Sequence, residues 1–290
     1  MSILKGLGVA LVTPFNEDLS VDFDSLTQLV NYNIENGTHY LVVLGTTAEA
    51  ATLSAQERTQ VTEHIIKVND GRLPLVLGIG GNNTYEVKKQ IEETDLSAFE
   101  AILSVSPYYN RPNQEGIYQH YKVLAETGKK IIIYNVPSRT GQNIEAATTL
   151  RLAEEFPNLM MIKEAAPNIL QYFDILRLKP QHFELVSGDD EFTLPVTLAG
   201  GNGVISVIGQ GYPKEFSTML KLAFEGKVKE AYEIHNKLVE ITRLIFAEGN
   251  PAGIKTVLAE KGIIKNHLRL PLVAATTCLQ EKIKAEMAKI

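Results

Sequence analysis

Lys163 follows an apolar run, Leu159-Met160-Met161-Ile162, and a cation in that position needs a chemical reason. An ammonium is costly to take out of water, and a buried lysine tends to lose its proton and become a nucleophile toward carbonyl carbon. The bland alternative is a side chain that runs along its aliphatic stem out to solvent. Other reactive groups also follow apolar runs: Thr46 and Thr47, Tyr108 and Tyr109, Tyr134 and Arg139, and the backbone-rich Gly188 and Gly209. Taken singly, such threonines cap turns, such tyrosines pack loops and such an arginine sits on a surface. Taken together they supply an amine, phenols, hydroxyls and a guanidinium, which is a Schiff-base set. A neutral lysine attacks a ketone to give an imine, and the imine acidifies the adjacent carbon. A tyrosine within reach moves the protons, with threonine hydroxyls as relays. Arginine presents a fork suited to a carboxylate, and strand-end N–H groups with a threonine hydroxyl suit a second one.

The elements that must carry these groups are eight apolar strands, expected at residues 6–12, 40–44, 74–79, 101–105, 130–135, 159–163, 183–187 and 203–207. Continuous rather than alternating hydrophobicity marks them as buried on both faces. Helical segments separate them. One runs from Asp22 to Asn36 and ends at Gly37; another opens at Ser54 with Glu57 three places on, the pattern of a capping box. Eight strand–helix units predict an α/β fold, a (β/α)8 TIM barrel over residues 1–225. Residues 226–290 read as a C-terminal helical extension of the same unit, with Leu238, Ile241, Leu244 and Ile245 on one apolar face. An open doubly wound sheet is the weaker alternative, because no G-x-G-x-x-G follows the first strand. In a barrel of this kind the strand carboxyl ends carry the active site, and every reactive group above falls there. Period-two alternation turns Glu164 away from the side chain of Lys163, so it is not counted as a catalytic partner.

Composition narrows the function classes. The formal net charge is -6 with no basic stripe, which argues against nucleic acid and anionic membranes as partners. No apolar run approaches the ~20 residues of a membrane span, and Lys5 with two glycines interrupts the N-terminal run that would otherwise suggest a secretion signal. The single Cys278 cannot form an intramolecular disulfide and fits a reducing compartment, so the expected address is cytoplasmic. The six histidines show no metal-ligand spacing, and neither G-x-S-x-G nor a P-loop is present.

Four motifs then carry a family resemblance: Gly45-Thr46-Thr47-x-Glu49, Pro107-Tyr108-Tyr109-Asn110, the run from Tyr134 to Gly141, and Ile162-Lys163-Glu164-Ala165. In order and spacing they resemble the 4-hydroxy-tetrahydrodipicolinate synthase (dihydrodipicolinate synthase) family. That family lies within the pyruvate-dependent class I aldolases, together with N-acetylneuraminate lyase. The likeness extends over essentially the whole chain, and Pro137-Ser138-Arg139-Thr140-Gly141 resembles the synthase branch rather than the sialic-acid branch. The resemblance implies that Lys163 forms the Schiff base with pyruvate and that Tyr134 exchanges protons, joined to Thr46 and to Tyr109 from a neighbouring subunit. It implies that Thr47, Gly188 and Ile205 hold pyruvate and that Arg139 binds L-aspartate 4-semialdehyde. It further implies a homotetramer built as a dimer of dimers, and no metal or organic cofactor. Sibling readings are a pyruvate lyase acting on a sugar acid and, from another class, a non-catalytic keto-acid sensor.

Two departures bear on these expectations. Ala48 and Ala50 stand where the family often has glycine and serine, and Ala48 is penalised only if the turn needs a positive φ there. Relatives inhibited by lysine resemble this chain at Asn82, Glu86 and Tyr108, which with Ala51 make a candidate feedback site. The histidines that some of them carry in that cleft are replaced by Ala55 and Arg58.

Overall fold

The computed structural model describes residues 3–290. Eight parallel strands follow one another in chain order and close into a barrel: β1 Gly6–Ala10, β2 Tyr40–Val43, β3 Leu75–Gly78, β4 Ala101–Val105, β5 Ile131–Asn135, β6 Leu159–Glu164, β7 Glu184–Ser187 and β8 Gly203–Ser206. The apolar runs fold as expected, almost wholly buried along their length, and the structure trims the predicted ends of most of them by a residue or two. Helices alternate with the strands: α1 Phe23–Glu35, α2 Ala55–Asn69, α3 Thr84–Glu93, α4 Gln114–Ala125, α5 Pro137–Thr140, α6 Ala146–Glu155, α7 Ile169–Leu178, α8 Thr193–Leu198 and α9 Pro213–Phe224. Beyond them lie α10 Val228–Phe246, α11 Ala252–Glu260 and α12 Thr277–Met287. Asp22 caps α1 through the Ser25 N–H, and Ser54 with Glu57 forms both halves of the capping box on α2.

The chain contains two compact units. One comprises Pro74–Ile205 together with residues 3–5. Its strands β3 to β7 pair in parallel in succession, and Ser187 of β7 meets Val204 of β8. The ladder between β5 and β6 is irregular at one point. Ile131 pairs with Leu159 but Ile132 pairs with Met161, so Met160 is an extra residue in β6. Such a bulge shifts the alternation by one place, and every side chain beyond it changes face. From there on the register runs Ile133 to Ile162, Tyr134 to Lys163 and Asn135 to Glu164.

The second unit comprises Gly6–Leu73 and Ser206–Ile290. Here β1 pairs with β2, and Gly8 lies opposite Tyr40. A Cβ on Gly8 would sit 2.2 Å from the Tyr40 ring, so glycine is what lets that fully buried ring lie across the strand. Helix α10 packs against α9, α11 and α12 within this unit and buries Leu238, Ile241 and Ile245. Among the described residues no helix is long and apolar enough to cross a membrane.

Candidate active site

Lys163 is 5% exposed and Tyr134 is 7% exposed, each near the carboxyl end of its strand. They are register partners on β5 and β6, so their side chains project to the same face. The Lys163 Nζ stands 4.3 Å from the centre of the Tyr134 ring. That is within the range in which a cation is drawn to a ring face, and it brings amine and phenol side by side. Among the described residues Nζ has no hydrogen-bond or ion-pair partner. Lys163 is therefore enclosed, not a strand-end side chain reaching out to bulk solvent.

Gly188 follows β7 beside this pair. A Cβ there would lie 2.9 Å from Cε and 3.0 Å from Cγ of Lys163, closer than packed carbons approach, so Gly188 leaves room for the lysine stem. Its N–H already donates to the carbonyl of Glu164 at 2.6 Å. Gly188 thus gives the lysine stem clearance while its N–H extends the β6–β7 ladder. Ile205 is fully buried on β8.

Arg139 is exposed on α5, a single turn that Pro137 opens and Gly141 closes in a left-handed conformation. Proline at the first helical position and glycine just past the last are the local signals for this short helix. Tyr108 and Tyr109 lie between β4 and α4. Tyr109 is 89% exposed, with a left-handed backbone at φ 70°.

Thr46 and Thr47 belong to the second unit. After β2 the chain makes two consecutive 3-10 turns, Thr46–Ala48 and Ala50–Thr52. Leu44 and Glu49 bracket the threonines with positive φ, 55° and 54°. The left-handed residue is thus Glu49 rather than Ala48, and Ala48 carries no such penalty. Thr46 is exposed; Thr47 is buried and accepts a hydrogen bond from Asn250 Nδ2 at 2.9 Å.

Sequence reasoning missed what braces this turn. The Glu49 carboxylate is fully buried against Lys255 Nζ at 2.5 Å, and its other oxygen accepts from the Arg269 N–H at 3.0 Å. Lys255 also donates to the His267 carbonyl and lies over the Phe15 ring. Burial pulls the Lys255 ammonium down to about 8, against the attraction of Glu49. Arg269 in turn grips Glu57, the capping-box residue, and that bond holds the Glu57 carboxyl down at about 2. The only sequence signal was a lysine inside an apolar stretch of α11, the same signal that marked Lys163.

Of the candidate feedback residues, Asn82 and Glu86 line one cavity of about 400 Å³ at the start of α3, together with Lys89, Gln90 and Glu93. Asn82 donates to the Tyr108 carbonyl at 3.4 Å, but neither the Tyr108 side chain nor Ala51 lines that cavity. Among the described residues no cluster of three or more His, Cys, Asp or Glu is arranged to hold a metal ion.

Known proteins resemble this chain along essentially its whole length. The profile of the Dihydrodipicolinate synthetase family matches residues 3–290. A 4-hydroxy-tetrahydrodipicolinate synthase of Flavobacterium psychrophilum is 54% identical over 98% of this chain and 97% of its own. The chloride-inhibited dihydrodipicolinate synthase of Acinetobacter baumannii, solved in complex with pyruvate, is 38% identical and superposes with a TM-score of 0.95 over 99% of this chain and 98% of its own. The enzyme of Cyanidioschyzon merolae, solved with lysine bound, is 32% identical with a TM-score of 0.95 over 100% of this chain and 99% of its own. The chain belongs to the dihydrodipicolinate synthetase family.

Proposed function

We propose that Lys163 is the Schiff-base lysine of a 4-hydroxy-tetrahydrodipicolinate synthase activity in this chain. The observation that carries this reading is the enclosed Lys163 amine, 4.3 Å from the Tyr134 ring on the same strand face. The amine adds to the keto carbon of pyruvate, and water leaves to give the imine. Tyr134 protonates the departing hydroxyl and then receives a proton from the methyl carbon, giving the enamine. The enamine carbon attacks the aldehyde of L-aspartate 4-semialdehyde. The amine of that substrate then displaces Lys163 as the ring closes. Thr46 and Tyr109 pass protons to Tyr134, Thr47 and the backbone around Ile205 hold the pyruvate carboxylate, and the exposed Arg139 takes the carboxylate of the second substrate. The reaction as written draws on no metal or organic cofactor, and its setting is the cytoplasm.

Reduction with borohydride in the presence of pyruvate tests the assignment. The mass adduct is expected on Lys163, and a folded protein left unmodified there overturns it. Aspartate semialdehyde set against a sialic acid as second substrate then separates the synthase from a sugar-acid lyase.

The assembly we propose is a homotetramer, a dimer of dimers in which Tyr109 enters a neighbour's site. An almost fully exposed tyrosine held at a left-handed φ costs on the order of 1–3 kcal/mol, which a subunit contact would offset. Mixing inactive Lys163→Ala and Tyr109→Phe proteins should regain activity through subunit exchange; no regain under exchanging conditions argues against the crossing. For the cavity at Asn82 and Glu86 we propose lysine as effector, with Tyr108 and Ala51 from the same sequence pattern, supported by the lysine-bound relative. A rate unchanged at millimolar lysine removes that assignment.

A further inference from the structure

On the outer face of β5 and β6, directly behind Tyr134 and Lys163, stands a second register pair, Asn135 and Glu164, both fully buried. Asn135 Nδ2 donates to both Glu164 oxygens, at 2.8 and 3.0 Å. The Ala166 N–H adds 2.7 Å and Gln171 Nε2 adds 2.8 Å. The carboxyl therefore receives four contacts from nitrogen donors, with no cation among its partners in the described residues.

The surrounding amides admit one orientation. The Ile144 N–H donates to Asn135 Oδ1, and Asn143 Nδ2 donates to Gln171 Oε1, so the amino groups of Asn135 and Gln171 must both face Glu164. Position 164 then faces donors only, which an ionised carboxylate satisfies on both oxygens, whereas a protonated acid or an amide turns a donor of its own against them. The main chain of Glu164 is tied equally firmly, because its carbonyl accepts from both Gly188 N–H and Tyr172 Oη at 2.6 Å.

We propose that Glu164 and Asn135 are positioning residues, a clamp on the outer face that fixes the register of β5 and β6 and so holds Lys163 against Tyr134 on the inner face. The need for it comes from the Met160 bulge three residues upstream, since a slip at the bulge would turn Lys163 to the wrong face. This inference rests on Lys163 being the imine-forming lysine.

The clamp is also sensitive to protons. Burial pushes the Glu164 carboxyl up to about 7, so its accepting form fades as pH falls through neutrality. The other titratable groups around it are Lys163 on β6, Tyr134 on β5, Tyr172 on α7 and Asp189 beyond β7; Glu164 and Asp189 both act on Tyr172. The side chains that touch the carboxylate from β5 and α7, Asn135 and Gln171, do not titrate.

The test compares wild type, Glu164→Gln and Gln171→Leu by the rate of pyruvate adduct formation at Lys163, by kcat and KM, and by their pH profiles. Glu164→Gln is expected to lower kcat and the adduct rate by about 10–100-fold, the scale of a misplacement of about 1 Å, with KM for pyruvate within about threefold. Wild type is expected to decline as pH falls through 7, and Glu164→Gln should lose that decline. Gln171→Leu, which removes one donor to the carboxylate, should shift that decline to higher pH. Wild-type rates and profiles in both variants would overturn the clamp, and if Glu164→Gln does not fold, an unshifted profile in Gln171→Leu overturns it alone. A wild-type adduct on a residue other than Lys163 would instead overturn the proposed function, and this inference with it.

Discussion

Lys163 lies inside an apolar strand and Thr47 in a turn beyond one, and different forces hold them in place. The lysine is placed by regular structure: a ladder, a one-residue bulge, and neutral amides around a lone carboxylate behind it. The threonine is placed by irregular structure: two 3-10 turns between left-handed residues, pinned by a buried ion pair and by Asn250. Strained backbone persists only where its surroundings over-determine it, at roughly 1–3 kcal/mol per residue. A strand end presents its side chain without strain. A hydroxyl fixed in a tight turn needs a brace.

Substitutions can break or sharpen that contrast. Lys163→Ala should abolish adduct formation and turnover while thermal unfolding stays near wild type, because shortening a side chain that has no polar partner leaves none unsatisfied. On the threonine side, Lys255→Met should destabilise the fold by about 3–5 kcal/mol in urea titration, the cost of leaving Glu49 buried and unpaired. Replacing both partners, Glu49→Leu with Lys255→Met, should regain most of that stability but not the affinity for pyruvate. Full regain of KM would mean that the pair does not order the turn.

The pH response of stability offers a third comparison. The folded state holds the Glu164 proton from its ordinary 4.5 up to about 7, so it binds more protons than the unfolded chain in that window, and stability falls as pH rises through it. The loss amounts to about 3 kcal/mol, and Glu164→Gln should remove this slope in denaturant titrations from pH 4.5 to 8. Gly188→Ala should cost about 1–3 kcal/mol by crowding Lys163 and should slow adduct formation. Asn250→Ala, which leaves the buried Thr47 hydroxyl short of a partner, should have the smallest effect, about 1 kcal/mol with a raised KM.

What could be read from the sequence was whatever depends on neighbours along the chain. The strands, the Asp22 and Ser54 caps, and the placement of Lys163, Tyr134 and Thr47 near strand ends follow from periodicity and local hydrogen bonding. The bulge at Met160 was hidden because four apolar residues in a row give no alternation from which to see a phase shift. The proximity of Lys163 to Tyr134 depends on register, which apolar patterning alone does not set. The commitment of the Gly188 N–H, the single orientation of the Asn135 network and the pairing of Glu49 with Lys255 all join distant parts of the chain, and no local pattern encodes them.

The Glu49 brace also has a consequence in time. Its partner Lys255 lies 206 residues later in the chain. A ribosome adding about 5–20 residues per second makes that interval ~10–40 s. Until it has passed, the threonine turn has its residues but not its cation, and Glu49 must stay hydrated. Nascent chains stalled before α11 should therefore be cut by protease near residues 44–52, and chains released after Arg269 should resist. The threonine turn is among the first segments to be synthesised and must wait for Lys255 and Arg269 before it can set.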